Sequence, residues 1–76
     1  MIRIKYLGHF EMIRGMRIEE IDVDGSVRIR ELLEDRLGNV LDWEQTIVLV
    51  NGRPAKPDDH VDDGDVISVM PFIGGG

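Results

Sequence analysis

The 76 residues contain no cysteine, and for so short a chain that constrains the fold more than any other feature. A domain of this length buries only about 60 % of the surface its unfolded chain exposes, close to the lower limit for folding unaided. Small domains often make up the deficit with disulfides or thiolate-bound metals. Neither is available here, and neither is a cysteine-ligated cluster or a cysteine nucleophile. The sequence must instead specify one regular, closely packed core. With 42 % hydrophobic and 32 % charged residues, its composition is that of a globular domain with a charged surface rather than a disordered tail.

The periodicity shows how such a core is built. Met1 to Leu7 alternates, with Ile2, Ile4 and Tyr6 in one phase and Arg3 and Lys5 in the other, which predicts a half-buried strand. Gly8 to Gly15 is bounded by glycines and reads as a wide hairpin loop. Alternation resumes over Met16 to Val23, but Met16 and Ile18 are out of phase with Ile21 and Val23, so a bulge or break is expected at Glu19-Glu20. After Asp24-Gly25, Ser26 stands as an N-cap, and Ile29, Leu32, Leu33 and Leu37 recur at helical spacing up to Gly38, a residue suited to a left-handed C-cap. This predicts an amphipathic helix of about three turns.

A connector holding the single tryptophan, Trp43, leads to the apolar run Thr46 to Val50, and Asn51-Gly52 is a strong hairpin signal. Arg53 to Ala55 then pairs back, Pro57 to Gly64 is an acidic turn-rich stretch, and Asp65 to Met70 is a last strand that weakens at Pro71. First and last strands, both β-branched, suit a parallel central pair whose crossover includes the helix. The expected architecture is α+β, a β-grasp: a mixed sheet of four to five strands with one helix across one face. Residues 1–73 are expected to form the single domain and 74–76 a flexible glycine tail.

Charge and motif exclude several functions. Fifteen acidic residues against nine basic give a net charge of −6, the wrong sign for a phosphate-binding stripe, so no nucleic acid is expected. No apolar run approaches the roughly 20 residues that span a bilayer, and no membrane partner and a cytoplasmic location are expected. Asp58, Asp59, Asp62, Asp63 and Asp65 invite a calcium loop. With Gly64 at the sixth loop position, however, Val61 and Met70 would occupy ligand positions, so the stretch reads as a solvated turn and no metal is expected. His9 and His60 lack companions at ligand spacing, and no nucleophile–base–acid set is present. Ser26 and Ser68 read as a cap and a strand residue. No catalytic residue and no cofactor are expected.

Gly74, Gly75 and Gly76 are different. Glycine gives an extended backbone able to enter a narrow cleft and leaves a terminal carboxylate sterically open. Taken alone the run reads equally as an idle tail. In context, the strand–strand–helix–strand–strand order, Val50-Asn51-Gly52, Gly64-Asp65 and the ending PFIGGG together resemble the ubiquitin-like sulfur carriers. That family includes the small subunit of molybdopterin synthase, the thiamine-pathway sulfur carrier and the archaeal small modifier proteins.

The resemblance implies that a ubiquitin-activating-type enzyme adenylates the Gly76 carboxylate, which then becomes a thiocarboxylate for molybdopterin- or thiamine-type cofactor synthesis. In the modifier branch it is joined to a lysine instead. Gly74 and Gly75 would keep the approach open, and a synthase large subunit or target proteins are the further partners implied. A non-reactive interaction module is the reading from another class. The molybdopterin-type tail commonly has two prolines, whereas here Phe72 follows Pro71. Lys5 and Lys56 are the only lysines, so sites for self-conjugation are few.

Thr46 to Val50 is apolar in both phases, although one helix covers one face. With Val48 and Val50 inward, Ile47 and Leu49 face outward, as do Val66, Ser68 and Met70 when Ile67 and Val69 are buried. Leu49, Met70, Phe72 and Ile73 are therefore expected to form a partner-docking patch that leads to the tail. The alternative is that a loop over Phe10 to Ile13 covers this face.

Overall fold

Alternation in the first and last strands builds the centre of the molecule. A computed structural model describes residues 1–73, and the expected tail at 74–76 lies outside the described residues. Strand β1, Ile2–Tyr6, buries Ile2, Ile4 and Tyr6 completely. The strands β2 (Ile18–Ile21), β4 (Thr46–Val50), β5 (Arg53–Pro54) and β7 (Val66–Pro71) complete a five-stranded sheet in the order β2-β1-β7-β4-β5. β1 and β7 run parallel at its centre, with Ile4 beside Ile67 and Tyr6 beside Val69. The other pairings are antiparallel. Helix α2, Ile29–Leu37, lays Ile29, Leu32, Leu33 and Leu37 over the inward residues Ile67, Val69 and Val48. Each such side chain contributes about 1.5–3 kcal/mol by leaving water. The expected α+β β-grasp is the observed fold.

Four local expectations need correction. Gly8 to Gly15 is not a hairpin loop but a short helix, α1 (His9–Arg14), which buries Phe10 and ends at Gly15 with φ 75°. The bulge at Glu19-Glu20 is absent, because Ile18 to Ile21 pair one-to-one with Lys5 to Ile2. The phase change arises because Met16 and Ile18 are exposed while Glu19 takes the inward position.

Ser26 does not cap α2, whose N-cap is Arg28. Val27–Arg28 (β3) instead pairs with His60–Val61 (β6), and the carbonyls of Asp59 and Pro57 accept from the N–H groups of Ile29 and Arg30 at 2.9 and 2.8 Å. Backbone from a distant loop thus satisfies donors that a side-chain cap would otherwise meet. Finally, the last strand runs on through Pro71, opposite Thr46.

The two short motifs around the β4–β5 turn are one structure. Asn51 sits at φ 52° and Gly52 at φ 84°, the left-handed pair that a tight hairpin turn requires. The Asn51 side chain donates to the Asp65 carboxylate and accepts from the Val66 N–H, both at 2.9 Å. The Asp65 carboxylate also accepts from the Asp62 N–H at 2.8 Å, and these bonds hold its pKa below the usual carboxylate range. The hairpin is thereby tied to the start of β7. Asn51→Ala loses both bonds and puts a Cβ-bearing residue of low left-handed propensity at positive φ, an expected cost of about 2–3 kcal/mol in urea unfolding. Asn51→Gly keeps the backbone and should lose about half as much. Equal costs for the two would show that the bridge, not the conformation, matters.

Candidate functional site

The outer sheet face follows from strand phase. Ile47 and Leu49 on β4 and Val66, Ser68 and Met70 on β7 are half-buried, alternating with buried Val48, Ile67 and Val69. Register sets Ile47 opposite Met70 and Leu49 opposite Ser68, so Leu49 and Met70 are diagonal neighbours about 7–8 Å apart. The Phe72 N–H donates to the Gln45 carbonyl at 2.8 Å, which extends the pairing one residue beyond β7 and keeps Phe72 in the outward phase. Phe72 is 54 % exposed; Ile73, in the opposite phase past the end of pairing, is 91 % exposed.

Leu49, Met70 and Phe72 therefore share one face, and Ile73 leads away from its edge. Ile47 belongs with them, although its outward phase alone did not place it in the expected patch. Helix α1 does not cover this face. Phe10 enters the core with the α2 leucines, and Met12 and Ile13 are exposed.

The inward Glu19 explains how α1 is held. Its carboxylate accepts from the Tyr6 hydroxyl at 2.6 Å and from Arg14 Nε and Nη2 at 3.1 and 2.9 Å. Arg36, on the last turn of α2, brings a buried Nε to 3.5 Å, an ion-pair contact too long for a good hydrogen bond. An inward charge on the edge strand β2 thus joins α1, α2 and β1, and such a charge also discourages edge-to-edge association. The phase break in the sequence was its only signal.

The hydrogen bonds from Arg14 hold the Glu19 pKa below its usual value, while burial, with the Glu19 bond, pushes Tyr6 up to about 12. Tyr6, with a raised folded pKa, stabilises the fold fully below pH 10, and this is lost as pH rises toward 12, costing on the order of 2–3 kcal/mol. It is the single tyrosine, so phenolate absorbance reports it alone. A midpoint near 10 in the folded protein would refute the bond. Glu19 acts in the opposite window, contributing above its ordinary pKa and losing this contribution in acid.

The acidic stretch is turn chemistry. Asp59 accepts from the Lys56 N–H, Asp65 from the Asp62 N–H, and Asp58 pairs with Arg30 at 3.0 Å. Among the described residues no group of three or more metal-ligating side chains is assembled, and no helix is long and apolar enough to cross a membrane.

Known proteins match this frame. A putative molybdopterin converting factor subunit 1 from Pyrococcus furiosus superposes with a TM-score of 0.76 at 27 % identity, covering 95 % of this chain and 97 % of that one. The small archaeal modifier protein 1 of Haloferax volcanii gives 0.78 at 22 %, covering 95 % and 97 %. A chain of the Amycolatopsis orientalis BexX/CysO complex gives 0.71 at 17 %, covering each chain fully. The likenesses below 25 % identity establish the fold. The ThiS family profile matches residues 4–76, and over that span, which includes the outer face and the glycine run, the chain belongs to the ThiS family of ubiquitin-like sulfur carriers.

Proposed function

We propose that this chain is a sulfur carrier whose Gly76 carboxylate is adenylated by a partner enzyme and converted to a thiocarboxylate. The observation that carries the reading is the family match across residues 4–76, glycine run included. The chemistry needs little from the carrier. A carboxylate is a poor electrophile. Its oxygen attacks the α-phosphorus of ATP and releases pyrophosphate, and the resulting acyl-adenylate has AMP as a good leaving group. A sulfide equivalent adds to the acyl carbon, AMP departs, and the thiocarboxylate remains. The activating enzyme supplies the phosphate-binding and catalytic groups, while the carrier supplies a docking face (Leu49, Met70, Phe72, Ile73) and an unhindered end (Gly74, Gly75, Gly76). The absence of cysteine leaves no internal thiol to intercept the adenylate.

The same adenylate acylates a lysine amine if that nucleophile is offered instead, which is the modifier reading. Intact mass after incubation with the activating enzyme, ATP and sulfide separates the outcomes. The oxygen-to-sulfur increase supports the carrier, adducts on added protein support the modifier, and an unchanged mass under all conditions leaves only a binding module.

A further inference from the structure

We infer that α1 is a rest for the carboxyl end of β7, and that Gly8 is a positioning residue setting the direction in which the chain leaves the sheet. The inference rests on the carrier reading for its consequence, though not for its geometry. The parallel ladder ends with the Leu7 N–H donating to the Val69 carbonyl at 3.0 Å. The next bond would run from residue 71 to the Leu7 carbonyl, but Pro71 has no N–H to give. That carbonyl instead accepts from the Phe10 N–H of α1 at 3.3 Å. Where the ladder fails, packing takes over: a Cβ built on Gly8 would lie 2.9 Å from both Cγ and Cδ of Pro71. Only glycine lets the backbone approach the ring so closely, and φ 61°, ψ −140° at Gly8 is itself a glycine conformation.

The rest is rigid because α1 is fixed at both ends. Phe10 is in the core, and Arg14 holds Glu19 through two hydrogen bonds. On the opposite side the Phe72 N–H is held by the Gln45 carbonyl. Pro71 is therefore gripped between Gly8 and β4, and the outgoing direction is set before Ile73. Four residues follow Phe72, a reach of at most about 13–14 Å when extended. A tilt of about 10° at Pro71 displaces Ile73, about 7 Å further on, by about 1 Å, and a misplacement of about 1 Å can cost on the order of 10²-fold in rate.

The test uses the full chain with Gly8→Ala, Pro71→Ala and both together, each read two ways. Amide exchange at Phe72 in the free protein reports the grip, and turnover by the activating enzyme reports its consequence. Gly8→Ala should speed Phe72 exchange and lower kcat at least about 10-fold, with a much smaller rise in KM, because Leu49 and Met70 of the outer face are untouched and only its Phe72 end is loosened. Pro71→Ala removes the ring but gives residue 71 an N–H that can complete the ladder to the Leu7 carbonyl, so it is the background on which a methyl at position 8 meets no ring. If Gly8→Ala alone fails to fold, the double variant compared with Pro71→Ala carries the test. The double variant should recover much of the kcat lost in Gly8→Ala, since the methyl added at position 8 then meets no ring.

Unchanged Phe72 exchange or unchanged kcat in a folded Gly8→Ala, or a loss that Pro71→Ala does not relieve, overturns the inference. A wild-type chain that gains no sulfur overturns the carrier reading instead, and Phe72 exchange still decides whether Gly8 holds the exit.

Discussion

A chain lengthened by one residue beyond Gly76 and protected from trimming gains no sulfur under conditions that fully thiolate the native chain. The reaction acts on a free carboxylate, so the position of that group matters as much as its presence. One added residue moves the reacting carbon by about 3.3–3.6 Å along an extended chain, well beyond the roughly 1 Å that near-attack geometry tolerates at a cost of about 10²-fold. Deleting Gly76 errs by the same distance in the other direction. Gly75→Val keeps the length but adds a β-branched side chain that narrows the backbone's choices and fills space that a cleft shaped for glycine lacks.

The three variants should unfold in urea at the native midpoint, because the core lies wholly within residues 2–69. Intact mass is the readout. Thiolation of the extended chain would remove Gly76 as the reacting residue, and thiolation of Gly75→Val alone would show that the cleft is open there.

How much of this was legible depends on which interactions are local. β1, β4, β7 and α2 could be read because each repeats its apolar residues at its own period, and one buried face decides phase for every residue in the element. That is why the outward positions of Leu49 and Met70 could be assigned from sequence. Asn51-Gly52 could be read because positive φ at two successive residues admits few residue types. Helix α1 could not. It has six residues, too few to be stable by propensity, and it exists because Phe10 fills the core and Arg14 meets Glu19 across the chain. The N-cap moved from Ser26 to Arg28 for the same reason, since Asp59 and Pro57 satisfy the α2 donors from about 30 residues away in sequence. Glu19 registered only as a flaw in an alternating pattern. Its partners come from β1, α1 and α2, and no window of sequence contains them all.

The face that sequence phase did identify carries the second large effect. Met70→Glu and Leu49→Arg should each weaken binding to the activating enzyme at least about 30-fold, the loss expected when a central apolar anchor worth about 2 kcal/mol is removed. The charged replacements also carry a desolvation cost into the complex. Both residues are half-buried on the outer face, opposite Ile47 and Ser68 respectively. A charged head there can reach water in the free protein, and far-ultraviolet circular dichroism should match the native chain. Lys5 is two strands from Leu49, about 9–10 Å, near the Debye length at physiological salt, so repulsion does not confuse the Leu49→Arg result.

Val48→Arg is the contrasting substitution. Val48 is 4 % exposed beneath α2, and a charge there should unfold the domain rather than spare it. If Met70→Glu bound the enzyme like the native chain while remaining folded, the docking face would have to be sought elsewhere. The exposed Met12 and Ile13 of α1 are then the next surface to substitute. If Met70→Glu lost both binding and fold, the half-buried rim would be shown to carry core energy, and only Phe72→Glu, at the more exposed end of the same face, could separate recognition from stability.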